Sequence, residues 1–423
     1  LEANNTKPPG FRQRLVARLW KSHLFWQTLA GYWDRFFGLL LSVILARIID
    51  PEIFGVFAVG CAIAQLTSLP TRWDLGALMR TDAYYREEGF PAIWQFSKKL
   101  LRIELFLILS VTGALYFYGK PSGLLMVILI AGAVTAFDKF IVVLRGDLEG
   151  QGKFRQNLTN KIAHTVLCFA IGIPVAMLGY GLSALTIMLI FGIVVNWYVL
   201  RRVNNRDLSL TSNDKSIARR LRRQGTWVWL NQLANISLLR GDKILLTGVE
   251  SMESIAYYSR GLNFSPISFM AFGSLCGESA IVAISKIEDD SKRFSYIMKR
   301  LAILLSAGVV NALVWIFFAE EIIGFVFGEK WVPAVPYFKL FAGLALVQSF
   351  YGLAQALLYG TKHFKAMAII KLCAILAGCG GIILFGINYQ NVAIGLQVTM
   401  CIAAILMIVF FATKPKITPS QVS

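Results

Sequence analysis

Twelve apolar runs, each close to twenty residues long, occupy most of this chain, and its positive charge lies on one side of them. An α-helix crosses the ~30 Å hydrocarbon layer of a bilayer with about 20 residues, so each run has the length of one crossing. Inside lipid the backbone has no water to bond, and only helices and closed barrels satisfy its polar groups internally. A barrel would show short segments of alternating polarity, and these runs do not alternate. The expected fold is therefore an all-α polytopic membrane protein of about twelve transmembrane helices. The spans read at about 27–49, 53–71, 101–118, 122–144, 162–179, 181–200, 225–248, 254–276, 300–319, 337–359, 366–386 and 391–412. Charged residues make up 16% of the chain, against ~25% in soluble domains, which excludes a water-soluble globule. The first run is too long and too internal for a cleaved signal peptide. Leu1 is not a natural start, so residues or a tag are expected to have been trimmed ahead of it.

The formal charge of +18 is distributed unevenly. With the N-terminus inside, the inner tails and loops carry Arg12, Arg14, Arg18, Lys98, Lys99, Arg145, Arg155 and the dense run Arg219, Arg220, Arg222 and Arg223. The outer loops hold little positive charge beyond Arg47, Lys120 and Lys330, and are otherwise acidic, with Asp50, Glu52, Glu250, Glu253, Glu320, Glu321 and Glu329. This is the positive-inside pattern at almost every loop. It places both termini in the cytoplasm, as an even span count requires. The basic pI then reflects topology and contact with membrane lipid headgroups, and nucleic acid is not an expected partner.

The longest polar stretch between spans is 201–224. It divides the chain into an N-terminal unit, 1–224, and a C-terminal unit, 225–423, of six spans each, the plan of transporters built from two six-helix lobes around a central cavity. A weak repeat agrees. ILARIIDPEIFGVFAVG (44–60) and ILLTGVESMESIAYYSRG (244–261) each run from a helix end through an acidic outer hairpin into the next helix. Spans 1–2 and 7–8 are thereby expected to play equivalent roles. The outer segment 320–336 reads as a short interfacial element anchored by Phe325, Phe327 and Trp331. Pro70, Pro174 and Pro266 are candidate helix breaks.

Several chemistries are missing. GDLEGQGKF (146–154) lacks phosphate-loop spacing, and Phe154 stands where a Mg²⁺-binding hydroxyl belongs. His23, His164 and His363 are far apart in sequence and make neither a triad nor a metal site. The six cysteines have no metal-ligand spacing, and no disulfide is inferred. No catalytic residue, metal or cofactor is expected; energy would come from an H⁺ or Na⁺ gradient or from consumption of product outside.

Ionisable side chains inside spans are costly and usually face a cavity or a partner. Span 7 carries Arg240, Asp242 and Lys243, with Asn231, Gln232 and Asn235 further in, and span 8 carries Arg260. Asn231, Asn235 and Asp242 share one helix face, and Arg240 with Lys243 forms a second stripe. Arg240, Lys243 and Arg260 lie at a similar depth and leave net positive charge, which attracts phosphate or pyrophosphate that arginine clamps through two bonds. The bland alternatives are a structural ion pair for Arg240, Asp242 and Lys243, and snorkelling for Arg260. Asn231, Gln232 and Asn235 suit sugar hydroxyls or helix–helix hydrogen bonds equally. In span 1, Asp34 and Arg35 are either a coupling acid beside a phosphate-binding arginine or an interfacial pair. Asp138 and Lys139 read as interfacial.

LARIIDPEIFGVFAV (45–59), WDLG (73–76), RGDKILL (240–246) leading into IAYYSRGLNF (255–264), and FGEKWVPAVPYFKLFAG (327–343) resemble the polysaccharide transporter branch of the multidrug/oligosaccharidyl-lipid/polysaccharide exporter superfamily. The similarity is to bacterial exopolysaccharide and O-antigen flippases of the colanic-acid-exporter type and runs over nearly the whole chain. It implies alternating access by two lobes, and movement of an undecaprenyl-pyrophosphate-linked oligosaccharide from the inner to the outer leaflet of a bacterial plasma membrane. Polysaccharide polymerase and export machinery would be partners, and a monomer suffices. Arg240, Asp242 and Arg260 match family positions; the resemblance assigns no role to Asp34 or Arg35. The runner-up readings are a multidrug cation antiporter of the same superfamily, a membrane-embedded glycan polymerase or ligase, and a non-transporting scaffold.

Overall fold

The computed structural model describes residues 23–413 except 74, 82, 205, 208–214, 267–279, 282, 285, 286, 288 and 362. The basic N-terminal tail, most of the 201–224 stretch before residue 215, and the side chains of Asp34, Arg35 and the 219–223 run lie outside that description. Every described element is helical. In chain order these are α1 (His23–Ile48), α2 (Pro51–Thr67), α3 (Leu75–Thr81), α4 (Ala83–Glu87), α5 (Phe90–Phe117), α6 (Ser122–Gly150), α7 (Phe154–Met177) and α8 (Gly181–Val203), followed by α9 (Lys215–Leu246), α10 (Met252–Phe264), α11 (Asp290–Phe327), α12 (Val335–Leu340), α13 (Leu344–Gly360), α14 (Phe364–Phe385) and α15 (Tyr389–Thr413). α1 to α8 pack mainly on one another, as do α9 to α15.

Seven described helices are long and apolar enough to cross a membrane, and an eighth span is the pair 329–340 and 344–360, bent by 49°. α1, α2, α9 and α10 complete the expected twelve; Phe36–Ile48 of α1 and all of α2 are apolar but short, and α9 and α10 carry Arg240, Lys243 and Arg260 to the space between the lobes. The chain is a multi-pass membrane protein with the two-lobe, twelve-helix plan.

The turns at 48–51 and 247–251 lie on the acidic side of the charge pattern, the side that the positive-inside pattern predicts to be outer, and the two ends are named outer and inner by that expected orientation. There the two repeat hairpins, α1–α2 and α9–α10, meet directly. Gly55 of α2 lies so close to α10 that a Cβ would overlap the Met252 carbonyl oxygen. The buried core is continuous across the lobes in this region, running from Leu45 and Ile49 through Ile255 and Tyr258 to Phe338. A separate apolar core, including Met79, Trp94 and Leu148, belongs to the N-terminal lobe alone.

The outer segment differs from expectation. α11 continues to Phe327, past a local break at Phe318 (φ −118°, ψ 17°), and a 3₁₀ turn follows over Glu329–Ala334. Phe327 and Trp331 are 2% and 1% exposed; only Phe325 faces outward. They are core residues, not interfacial anchors, because the segment turns inward over the end of α1. The Trp331 indole donates to the Ala46 carbonyl at 2.7 Å and its ring packs edge-on against Phe54 at 5.7 Å. Arg47 donates to the Val326 carbonyl at 2.9 Å and to that of Phe325. Lys330 donates to the Ile49 carbonyl at 2.9 Å and lies 3.5 Å from Asp50. Two of the few outer cations thus bind backbone oxygens of the opposite lobe and form a latch.

Pro174 lies inside α7 without ending it, and Pro70 sits in the 3₁₀ turn that follows α2. At the inner end Asp147 receives Arg206 through two bonds of 2.9 and 3.1 Å, and Asn204 at 3.0 Å. The hydrogen bond to Asp147 raises the Arg206 pKa above its ordinary value. This fixes the end of α8 to α6.

Candidate functional site

A cavity of about 600 Å³ separates the lobes below the latch. Ligand sites commonly have ~300–1,000 Å³. Arg240 and Lys243 of α9 and Arg260 of α10 all line it, which is the grouping that depth along the helices suggested. The opposite wall, from α1, α2 and α6 to α8, is largely apolar, with Gln65, Asp138, His164 and Asn196 among its polar members. Three cations against one lining carboxylate leave the site net positive.

Arg260 is 8% exposed and does not snorkel to the surface. Its guanidinium donates to the Ser42 hydroxyl and lies 4.1 Å from the Phe54 ring centroid, 5.3 Å from Trp331 and 5.4 Å from Phe264. Ring faces carry negative quadrupole density and stabilise a desolvated cation. This cage also forms the roof of the cavity. Lys243 is 1% exposed, with Nζ 3.4 Å from Asp242 Oδ1. The same oxygen accepts the Lys243 backbone N–H at 2.8 Å, so the acid is shared and the ion pair is long.

α9 has two polar faces with different uses. At about 100° per residue, Asn231, Asn235 and Asp242 fall within a narrow arc, and Gln232, Lys243 and Arg240 fall on the other side. The first arc faces the C-terminal lobe. Asn231 donates to the Phe364 carbonyl at 2.9 Å. Asn235 accepts from Lys371 at 2.9 Å and from Tyr351 at 3.3 Å. Asp242 borders a small pocket of about 60 Å³ against Gly378 and Thr399. Asn231 and Asn235 are thus bonded within the C-terminal lobe, and of the three amides Gln232 lines a second cavity of about 170 Å³.

Two buried residues, Glu104 and Lys371, went unread in the sequence, and one pair was misplaced. Asp138 and Lys139 are not interfacial: Asp138 lines both cavities, and Lys139 pairs with the fully buried Glu104, which also accepts from Thr71 at 2.6 Å and Thr135 at 3.0 Å. Glu104 falls near the start of the expected span 101–118. α5 starts at Phe90, which puts Glu104 mid-helix. Lys371, 1% exposed, binds Gln355 at 3.0 Å as well as Asn235. Both residues carried the signal used for span 7, an ionisable group inside an apolar run.

A family model described as polysaccharide biosynthesis protein matches residues 44–336. The chain belongs to that family. It is 24% identical over 337 residues to the lipopolysaccharide biosynthesis protein WzxC of Escherichia coli, a match covering 74% of this chain and 64% of that protein. The chain thus spans somewhat under two thirds of that relative's length. Among solved structures it resembles the lipid II flippase MurJ in an inward closed conformation, with TM-score 0.66, 15% identity and 92% and 88% of the two chains covered. It also resembles an inward-facing multidrug resistance MATE family transporter of the MOP superfamily, with TM-score 0.62, 14% identity and 91% and 94% covered. At these identities the likeness establishes the fold alone.

Proposed function

We propose that this chain is a secondary flippase that carries an undecaprenyl-pyrophosphate-linked oligosaccharide from the inner to the outer leaflet of a bacterial cytoplasmic membrane, with both termini inside. The observation that carries the reading is the closed-topped interlobe cavity bearing Arg240, Lys243 and Arg260 on one wall. A positively charged chamber concentrates anions, and the paired N–H groups of a guanidinium match phosphate oxygens. The family match to polysaccharide biosynthesis proteins and the likeness to a lipid II flippase support the same substrate class. The pyrophosphate binds the three cations, the prenyl tail stays in lipid between the lobes, and the glycan occupies the polar space toward Gln232. Arg35, midway along α1, adds positive charge for the pyrophosphate in this reading. The units 1–224 and 225–423 rock against each other, and a proton or sodium gradient acts through Asp34 or Asp242. One chain suffices for the cycle, with polymerase and export machinery acting on the product.

The MATE-like fold admits a drug antiporter as a second reading. A chamber with three cations repels cationic drugs, which need acidic groups, so the flippase reading is favoured.

The test is flipping of a fluorescent prenyl-pyrophosphate oligosaccharide in liposomes by the wild type and by the double variant Arg240→Glu, Arg260→Glu. Flipping by the wild type and its loss in a folded variant is the expected result. Equal flipping by both would remove the charge-based mechanism, and an inactive wild type that exports organic cations would favour the antiporter.

A further inference from the structure

Beneath the main cavity, toward the inner end, the smaller cavity of about 170 Å³ is walled by both lobes. Ser68, Arg72 and Trp73 from the stretch after α2, Asp138 and Lys139 from α6, and Gln232 from α9 contribute to its lining. The two cavities adjoin at Asp138, which lines both. The chemistry of the smaller one differs from that of its neighbour. Lys139 is held by Glu104, and Asp138 shares the lining with Arg72 and lies within electrostatic reach of Arg145 and Arg72. A carboxylate accepts from hydroxyls, a guanidinium donates to them, an amide does both, and a serine hydroxyl adapts. Donors and acceptors interleaved in this way suit a ring bearing several neighbouring hydroxyls rather than a compact anion.

The apolar part of the wall is Trp73 with Val142. The Trp73 ring stacks on Trp229 at 6.2 Å and 20°, and meets Phe96 edge-on at 5.4 Å and 85°. The Trp229 indole is itself fixed by donation to the Leu69 carbonyl at 2.9 Å. Gly225 makes room for this stack, since a Cβ there would press on the Trp73 ring. An immobilised indole offers a surface for the C–H face of a sugar ring. At ~30 Å³ per water the cavity has room for about six waters, which is the size of one pyranose ring and too small for two.

We propose that this pocket is a monosaccharide subsite, which takes the pyranose ring next to the pyrophosphate while the phosphates lie against Arg240, Lys243 and Arg260 in the adjoining cavity. Its place in transport rests on the flippase reading; sugar binding itself does not. The subsite selects for a lipid carrier that has been loaded with a first sugar. Its two walls belong to different lobes, so sugar binding draws the inner ends of the lobes together.

The experiment is binding of methyl glucoside, methyl galactoside, methyl mannoside and methyl N-acetylglucosaminide to the purified full chain in detergent. Saturation-transfer NMR and tryptophan fluorescence give the readout. One of these glycosides binds in the millimolar range, as expected for so small a ligand, and quenches or shifts tryptophan emission. Gln232→Leu and Asp138→Asn, which keep side-chain size, each weaken it about tenfold, the effect of losing a hydrogen bond to a buried polar group. Absence of binding by all four glycosides overturns the proposal, as does binding that both variants retain. Should one variant fail to fold, the other decides. Glycoside binding without lipid flipping would leave the sugar site standing and remove the flippase reading. Flipping without glycoside binding would do the reverse.

Discussion

Arg260 reaches the cavity across three aromatic rings, with a serine hydroxyl as its hydrogen-bond acceptor. A guanidinium is planar and weakly hydrated, and lies flat on a ring in a way a lysine ammonium does not. Arg260→Lys keeps the charge and loses the stacking, worth ~0.5–2 kcal/mol per desolvated contact. Flipping in proteoliposomes is expected to fall about tenfold with a modest drop in the melting temperature in detergent; an unchanged rate with the same drop would make the cage a packing device. Glu104 and Lys139 pose the opposite case, a buried pair far more costly to break than to remove. Lys139→Met strands the Glu104 carboxylate and is expected to destabilise by about 3–5 kcal/mol. The double change Lys139→Met with Glu104→Gln should recover most of that loss in the same melting experiment. A single and a double variant of equal stability would mean that the two residues do not interact.

At the scale of the element, α2 and α10 approach so closely that only glycine fits at residue 55. Backbone, not a movable side chain, stands in the way. Gly55→Ala is therefore expected to destabilise by about 1–3 kcal/mol, the usual effect of overpacking, and to part the outer ends of the lobes. A lowered melting temperature, with new labelling of cavity cysteines from outside, would show this. α9 illustrates how far sequence reasoning reached. The spacing of Asn231, Asn235 and Asp242 placed them on one face, and that is how they lie. Spacing has no means of stating which neighbour a face will meet, and the face proved to belong to the C-terminal lobe. The neighbouring stripe of Arg240 and Lys243 took the cavity.

For the whole molecule, the outer end is shut by contacts that cross between lobes, from Arg47 to the 325–326 carbonyls, from Lys330 to Ile49 and from Trp331 to Ala46. Among the described residues, the inner end is crossed by the Trp73–Trp229 stack and the Trp229–Leu69 hydrogen bond. Opening to the outside must break the first set. Each bond is worth only ~0.5–1.5 kcal/mol net, so a small number of substitutions shifts the balance between states. Arg47→Ala combined with Trp331→Phe is expected to raise outward accessibility several-fold. Cys61 lines the cavity and reports this directly when it is the sole cysteine and a membrane-impermeant maleimide is added outside. Labelling equal to that of the intact latch would show that the seal lies elsewhere, at Arg260 and Phe54.

The apolar runs and the placement of charge determined by themselves that this chain is a twelve-helix membrane protein of two halves. The reason is that the bilayer imposes a length and a polarity on each segment independently of its neighbours. The run of cations in spans 7 and 8 likewise marked a positive site, because a charge inside a span needs a partner or a cavity wherever the helix packs. The tertiary structure alone decided which charges share a chamber and which are taken by other side chains. Glu104 finds Lys139 across two helices, Lys371 finds two amides, and Trp331 turns from an expected surface anchor into a buried partner of Arg260. Those choices depend on pairings between residues tens to hundreds of positions apart, and helical periodicity is silent about them.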